Sequence, residues 1–324
     1  MKFETIPVLH SQGAILARTL RLPDLVLVKG QRLGAAQLDL LSAAGVQQIA
    51  VALVETGDIA EDRAAERVAR NLAGRGVIAT EANKGRVNLC ASAHGLVVFD
   101  STRVRALNHI DEAITIATLP LHDVVTPGQI VATIKVNPYA VPGQIVDAWE
   151  SAATAFRIAT FRSRQTSLIQ TLAPVLKDSV LQKTLRVTQR RLEAVGSPLS
   201  VAVQADHSEA ALTQAIGARI EAGDELILIC GASSITDRRD IIPASIVRAG
   251  GWIVHFGMPS DPGNLLLLGA VGAVPIVGMP SCARTPQLNG FDYILRLIHA
   301  DCPVGPAQIM DMGVGGLLRE SRLS

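Results

Sequence analysis

The stretch ELILIC, Glu225–Cys230, constrains the fold more than any other part of this chain. A short run that is apolar on both faces belongs in the middle of a sheet covered on both sides, and such strands mark parallel α/β layers. The flanking sequence agrees. From about Ala153, FRIATF reads as a strand and QTSLIQTLAPVLKDSVLQKTLRVTQRRLEAVG as helical stretches broken near Pro174. LSVAVQA reads as a strand, and SEAALTQAIGARIEAG as a helix with Ser208 as its N-cap and Gly223 as its stop. After ELILIC comes the helix PASIVRAGG, with Pro243 in its first turn. WIVHFGM, NLLLLGAVG and AVPIVGM read as strands, and GFDYILRLIHA as a closing helix. This alternation predicts an α/β fold with a three-layer, mostly parallel sheet in the C-terminal half.

The first half reads differently. LVLVKGQRLG suggests strand, turn and helix start, and Ala35 to Val46 a helix stopped at Gly45. QQIAVALV is a strand, and Asp58 to Gly76 a second helix with acids early and arginines late, as the helix dipole favours. GLVVFD, HDVVTPGQIVATIKV and YAVPGQIVDAWE read as short β runs separated by Pro-Gly turns. The sequence PGQIV, at Pro127 and again at Pro142, reflects similar turn chemistry rather than a repeat architecture. The predicted organisation is an N-terminal α+β portion over residues 1–152, an α/β domain over 153–310 and a tail over 311–324.

Aromatic residues are only 3% of the chain, so aliphatic side chains must build the cores. With 48% hydrophobic and 18% charged residues the composition is globular. A net charge of +1 gives no basis for broad electrostatic capture of nucleic acid. Cys90, Cys230, Cys282 and Cys302 show no C-x-x-C pair and no zinc spacing, and read as free thiols of a cytoplasmic protein. His207, His255 and His299 are scattered, without a zinc-site spacing. The N-terminus has no apolar h-region, and no apolar run reaches the length of a membrane span. Homo-oligomers are common among soluble enzymes, and one is expected here.

The loop after ELILIC holds the densest chemistry. In GASSITDRRD, Gly231 and Ala232 let backbone N–H groups approach a ligand, and Ser233, Ser234 and Thr236 add hydroxyls. The following helix turns its positive end to the same space, which favours an anion, most often a phosphate. Asp237 and Asp240 suit a phosphate only if a hard cation such as Mg²⁺ bridges them, and Arg238 and Arg239 offset them. The plainer alternative is a small-residue turn with a helix-capping aspartate and surface arginines. Ser234 is not in a G-x-S-x-G elbow, which excludes that hydrolase pattern. Two more loops, Gly257 to Gly269 and Pro275 to Pro286, sit at strand ends of the same sheet, where ligands of α/β folds bind. Cys282 reads as a small apolar filler and Trp252 as a core residue.

The block from Ala222 to Ala283 resembles the molybdopterin-binding domain shared by molybdopterin molybdotransferases and molybdopterin adenylyltransferases. Gly231, Ala232, Ser234, Asp237 and Asp240 match the first loop of that pattern. His255, Pro262, Gly263, Leu266, Leu267, Leu268 and Gly269 match the second region, and Gly278, Met279 and Pro280 the third. Asp206, in VAVQADHSEAALTQAI, matches a metal-site acid, and KGQRLGAAQLDLLSAAGVQQIAVALVETGD is similar to the stretch leading into that domain. The resemblance implies molybdopterin as ligand or substrate and a role in molybdenum cofactor biosynthesis. It implies cofactor contacts at Gly231, Ala232, Ser233, Ser234, Pro262, Gly263, Asn264, Gly278, Pro280 and Ser281. It also implies Mg²⁺ on Asp237, Asp240 and Asp206, with Asp237 and Asp240 as catalytic acids in molybdate insertion or processing of adenylylated molybdopterin.

The chain departs from the pattern in four places. Asn264 stands where the family has a lysine, Ser281, Cys282 and Ala283 replace Gly-Asn-Pro, and Ala232 replaces a glycine. Arg162 and Arg164 fall where the family has metal-binding acids. These losses favour a second reading, a non-catalytic molybdopterin carrier or regulatory module that serves a molybdenum-cofactor nucleotidyltransferase partner. In related arrangements such a domain begins where MGVGGLLRESRLS ends this chain, and no Gly-rich nucleotidyltransferase signature is present. A third reading is a nucleotide-phosphate binder that shares the fold without the pterin.

Overall fold

A computed structural model describes residues 1–23, 25–174 and 176–318. The chain divides into two units, the first Met1–Ile158 and the second beginning at Ala159. No helix among the described residues is long and apolar enough to cross a membrane.

The first unit is built around two separate apolar clusters. In one, the strand Gln48–Leu53 pairs antiparallel with Lys2–Pro7 and with Ile15–Leu16, and Leu38 and Leu41 of the Ala35–Ala43 helix close its core. In the other, the helix Glu61–Leu72 buries Ala64, Ala65, Val68, Ala69 and Leu72, one stripe of an amphipathic helix. Asp58–Ala60, expected to begin this helix, is instead a short strand paired with Ala140–Pro142. The two PGQIV segments also differ. At Gly128 the backbone turns with φ +86 into the strand Ile130–Val136, whose β-branched residues continue the sheet. At Pro142 the same five residues open the helix Gly143–Ala152, because Val146 and Trp149 recur at helical spacing and are fully buried.

The second unit carries a six-stranded sheet in the order Leu199–Asp206, Thr166–Leu172, Leu226–Cys230, Val274–Met279, Leu267–Val271, Trp252–Phe256. The first four strands are mutually parallel; Leu267–Val271 runs antiparallel to both of its neighbours, so Trp252–Phe256 at the edge again runs with the first four. The sheet is therefore mixed, with three parallel and two antiparallel pairings, because AVPIVGM returns from NLLLLGAVG through a tight turn at Gly272, φ +56, with no helix between them. Thr166–Leu172, expected to be helical, is a strand second from the edge. Six of its seven residues are buried, so no polar face remained to show a period of two. Trp252, expected in the core, is half exposed on the edge strand.

Helices cover both faces. Leu226, Leu228 and Cys230 meet one cluster with Leu192 of the helix Asp178–Glu193 and Phe291, Ile294 and Leu295 of Gly290–His299. Ile227 and Ile229 meet the opposite cluster with Leu212 and Ile216 of Glu209–Glu221 and Ile242 and Ile246 of Ile241–Arg248. The chain thus leaves adjacent parallel strands toward opposite faces. Beyond the carboxyl ends of strands that diverge in this way lies the usual ligand position in such sheets.

Candidate functional site

Register places five strand ends on one edge. Leu172 lies beside Asp206, Gln170 beside Cys230, and Cys230 beside Met279. Phe256 reaches the same edge through Leu267 and Gly278. The loops carrying His207, Gly231 to Asp240, Gly257 to Asn264, and Pro280 to Arg284 all begin there.

The loop after Cys230 is fastened by one apolar side chain. Ile235 is buried in the core beneath the helix Ile241–Arg248. It lies over Gly278, where an added Cβ would come within 2.6 Å of Ile235 Cδ1 and 2.9 Å of Leu267 Cβ. Gly231 is equally confined, since a Cβ there would meet Ser233 O at 2.6 Å and Ile242 Cδ1 at 2.8 Å. With Ile235 pinned, Ser233 and Thr236 are exposed and Ser234 half-buried. Among the described residues, the backbone N–H groups of Ser233, Ser234 and Ile235 have no acceptor within the protein. Three successive N–H groups without partners, beside two serine hydroxyls, are the kind of donor set that anion-binding loops use.

Arg284 joins this loop to the next. Its Nη2 donates to Gly231 O, and its Nε is buried without a hydrogen-bond partner among the described residues. Arg284 sits at the end of the short 3₁₀ turn Ser281–Arg284, which is held from below by Arg191. The buried Arg191 donates to Asp292 Oδ1 at 2.6 Å, Ala283 O at 2.6 Å, Thr285 O at 3.0 Å and Gln287 O at 2.9 Å. Sequence reasoning missed both arginines. Arg191 had a signal, because it falls on the buried stripe Thr184, Val187, Thr188, Arg191 of its helix.

The aspartates are engaged elsewhere. Asp240 is the N-cap of Ile241–Arg248; its carboxylate accepts from Ile241 N at 2.7 Å and Thr236 N at 3.2 Å. Asp237 accepts from Arg239 N and Nε, both at 2.8 Å, and the Arg239 guanidinium holds its carboxyl below the usual carboxylate range. Asp206 ends the exposed edge strand. Among the described residues no group of three or more His, Cys, Asp or Glu side chains is placed to hold a metal ion. Asp237, Asp240 and Asp206, expected to hold Mg²⁺, therefore do not form a ready-made three-ligand site. Asp240→Ala is expected to cost about 1 kcal/mol of stability, the loss of a helix cap. Thermal denaturation should show that loss to the same extent with and without Mg²⁺.

The other expected contacts divide. Ala232 N donates to Thr171 Oγ1 at 2.7 Å, inside the anion loop's own framework. Gly278 lies within its strand beneath Ile235, and Pro280 is buried while Ser281 is exposed at the edge. Gly263 has φ +134, and a Cβ there would come within 2.6 Å of Gly290 N, so it packs the loop onto the helix Gly290–His299. Pro262 O accepts from Gly290 N at 2.9 Å, and Asn264 Nδ2 donates back to Met258 O at 3.1 Å. These residues shape the second loop rather than face the first. A cavity of about 340 Å³ is lined by Pro259, Ser260, Asp261, Asn264, Gly316 and Leu317, and includes no residue of the first loop. Cys282 is half-buried, and burial pushes its thiol up, away from a reactive thiolate. Arg162 and Arg164 lie beside acids at a different place, Arg162 on Glu225 at 2.7 Å and both on Asp301.

No family model matches this chain, and no curated protein does. Among solved structures, the chain is similar to a molybdopterin biosynthesis moea protein from Pyrococcus horikosii, at 10% identity and a TM-score of 0.32, over 93% of this chain and 75% of that one. It is also similar to a molybdenum cofactor biosynthesis protein from Pyrococcus furiosus, at 12% identity and a TM-score of 0.22, over 92% of this chain and 63% of that one. Likenesses this distant carry no argument about the chain's activity.

Proposed function

We propose that this chain binds molybdopterin by its terminal phosphate at the carboxyl edge of the mixed sheet, as a carrier rather than through a metal-assisted reaction. The reading rests on the three unpartnered N–H groups of Ser233, Ser234 and Ile235, in a loop whose Gly231 carbonyl is tied to the Arg284 guanidinium. The three N–H groups are donors without acceptors, which suits a dianionic phosphate. The pterin part is supported by the order of loop motifs from Gly231 to Pro280 in the sequence. The transferase reading with Asp237 and Asp240 as catalytic acids loses its support, since one carboxylate caps a helix and the other holds Arg239. A nucleotidyltransferase that receives the cofactor is the partner this reading calls for.

Binding of purified molybdopterin to the wild type and to the double variant Asp237→Ala, Asp240→Ala, with and without Mg²⁺, tests it. Both proteins are expected to bind, with no effect of Mg²⁺. Binding that requires Mg²⁺ and vanishes in the double variant would restore the metal-dependent reading. No binding by the wild type would end the molybdopterin assignment.

A further inference from the structure

We propose that His207 is a positioning residue that fixes the Ser233 hydroxyl as an outward hydrogen-bond donor to a bound phosphate monoester dianion, through a relay that starts at Thr171. The proposal rests on the anion-loop reading above and adds a specificity to it. Thr171, His207 and Ser233 come from the ends of three neighbouring strands, and the fold alone brings them together.

Thr171 is fully buried, so its hydroxyl meets no solvent. Its Oγ1 accepts the Ala232 N–H at 2.7 Å and lies 2.8 Å from His207 Nδ1. Among the described residues it has no other partner. A threonine hydroxyl has one proton to give, and here His207 Nδ1 is the acceptor in reach. That assignment leaves the neutral ring with its proton on Nε2. His207 Nε2 lies 2.9 Å from Ser233 Oγ, so the ring donates to the serine. The proton of Ser233 is then free for a partner outside the relay.

Two consequences follow. A serine acting as nucleophile must give its proton to the histidine, which needs the opposite tautomer, so Ser233 is not an activated nucleophile. The unpartnered groups of the loop are donors: a serine O–H and three N–H groups. A phosphate monoester dianion carries no proton and can accept from all of them, whereas a protonated monoester would meet donor against donor.

The test uses the full chain labelled with ¹⁵N-histidine at mildly alkaline pH, where long-range ¹H–¹⁵N correlations report the tautomer of each neutral ring. His207 is expected as Nε2–H, its signal identified by loss in His207→Gln. Thr171→Val, close to isosteric, is expected to shift the ring toward a tautomer mixture, and Ser233→Ala to leave it unchanged. With phenyl phosphate as probe, Ser233→Ala and His207→Ala are each expected to weaken binding about three- to tenfold, the loss of one hydrogen bond. His207→Gln, whose amide nitrogen can still donate, should retain more affinity than His207→Ala. An Nδ1–H ring in the wild type, or a pattern unmoved by Thr171→Val, overturns the relay while leaving the anion loop standing. A wild type with the Nε2–H ring that fails to bind phenyl phosphate overturns the anion loop, and with it the role given to Ser233.

Discussion

Arg191→Ala is expected to destabilise the second unit by about 3–5 kcal/mol, the range for removing one partner of a buried ion pair. The side chains of Arg191 and Asp292 are 1% and 3% exposed, so removing the guanidinium leaves a buried carboxylate without its cation. Three carbonyls, of Ala283, Thr285 and Gln287, lose their donor in the same step. Asp292 also accepts from Asn289 N at 2.8 Å in the capping box of Gly290–His299, so the damage reaches the helix that covers one face of the sheet. Arg191→Lys is expected to recover less than half of the loss, because an ammonium cannot direct hydrogen bonds to four acceptors in the plane of a guanidinium. Urea denaturation followed by far-UV circular dichroism reads the change in midpoint, and limited proteolysis reads the freed 281–287 segment. A lysine variant with the wild-type midpoint would show that charge alone, and not the planar fork, holds this loop.

What was legible in the sequence, and what was not, follows from where each signal lives. Leu226–Cys230 was legible because a short apolar run between turns has few other places to go, and Leu199–Asp206 because an edge strand alternates between half-buried and exposed positions. Thr166–Leu172 was not, because a strand buried on both faces shows no period and joins smoothly onto the helical pattern that follows. The loop from Gly231 to Asp240 was legible as a place for an anion, but the division of labour inside it was not. The sequence shows two aspartates near a helix start; only the fold shows Asp240 closing on Thr236 and Ile241 and Asp237 closing on Arg239. His207 gave no spacing signal at all, since Thr171 and Ser233 lie 36 and 26 residues away along the chain. The one reversed strand, Leu267–Val271, was missed for a related reason: strand direction depends on the connection, and the two-residue turn at Gly272 lies between segments that each read simply as strands.

Arg284→Ala is expected to weaken molybdopterin binding about ten- to hundredfold, the equivalent of about 1.5–3 kcal/mol for a hydrogen bond to a charged group. Arg284 is half-buried at the edge where the strands Leu226–Cys230 and Val274–Met279 end side by side. One of its nitrogens is tied to Gly231 O, which fixes the guanidinium against the anion loop without consuming its charge. Its Nε is buried and unpartnered among the described residues, and a donor in that state has its desolvation cost already met within the folded protein. A phosphate held at the adjoining loop gains the attraction of a guanidinium that is already fixed in place and partly desolvated. The same tie predicts a smaller structural cost, since Gly231 O loses its donor, so affinity must be measured well below the unfolding temperature of the variant. Arg284→Lys should fall between wild type and alanine, keeping the charge but not both bonds at once. The dependence of affinity on salt should also flatten in the alanine variant and be retained in the lysine variant. If alanine binds as tightly as wild type with the same salt dependence, Arg284 is only a tie between two loops, and the phosphate is held elsewhere.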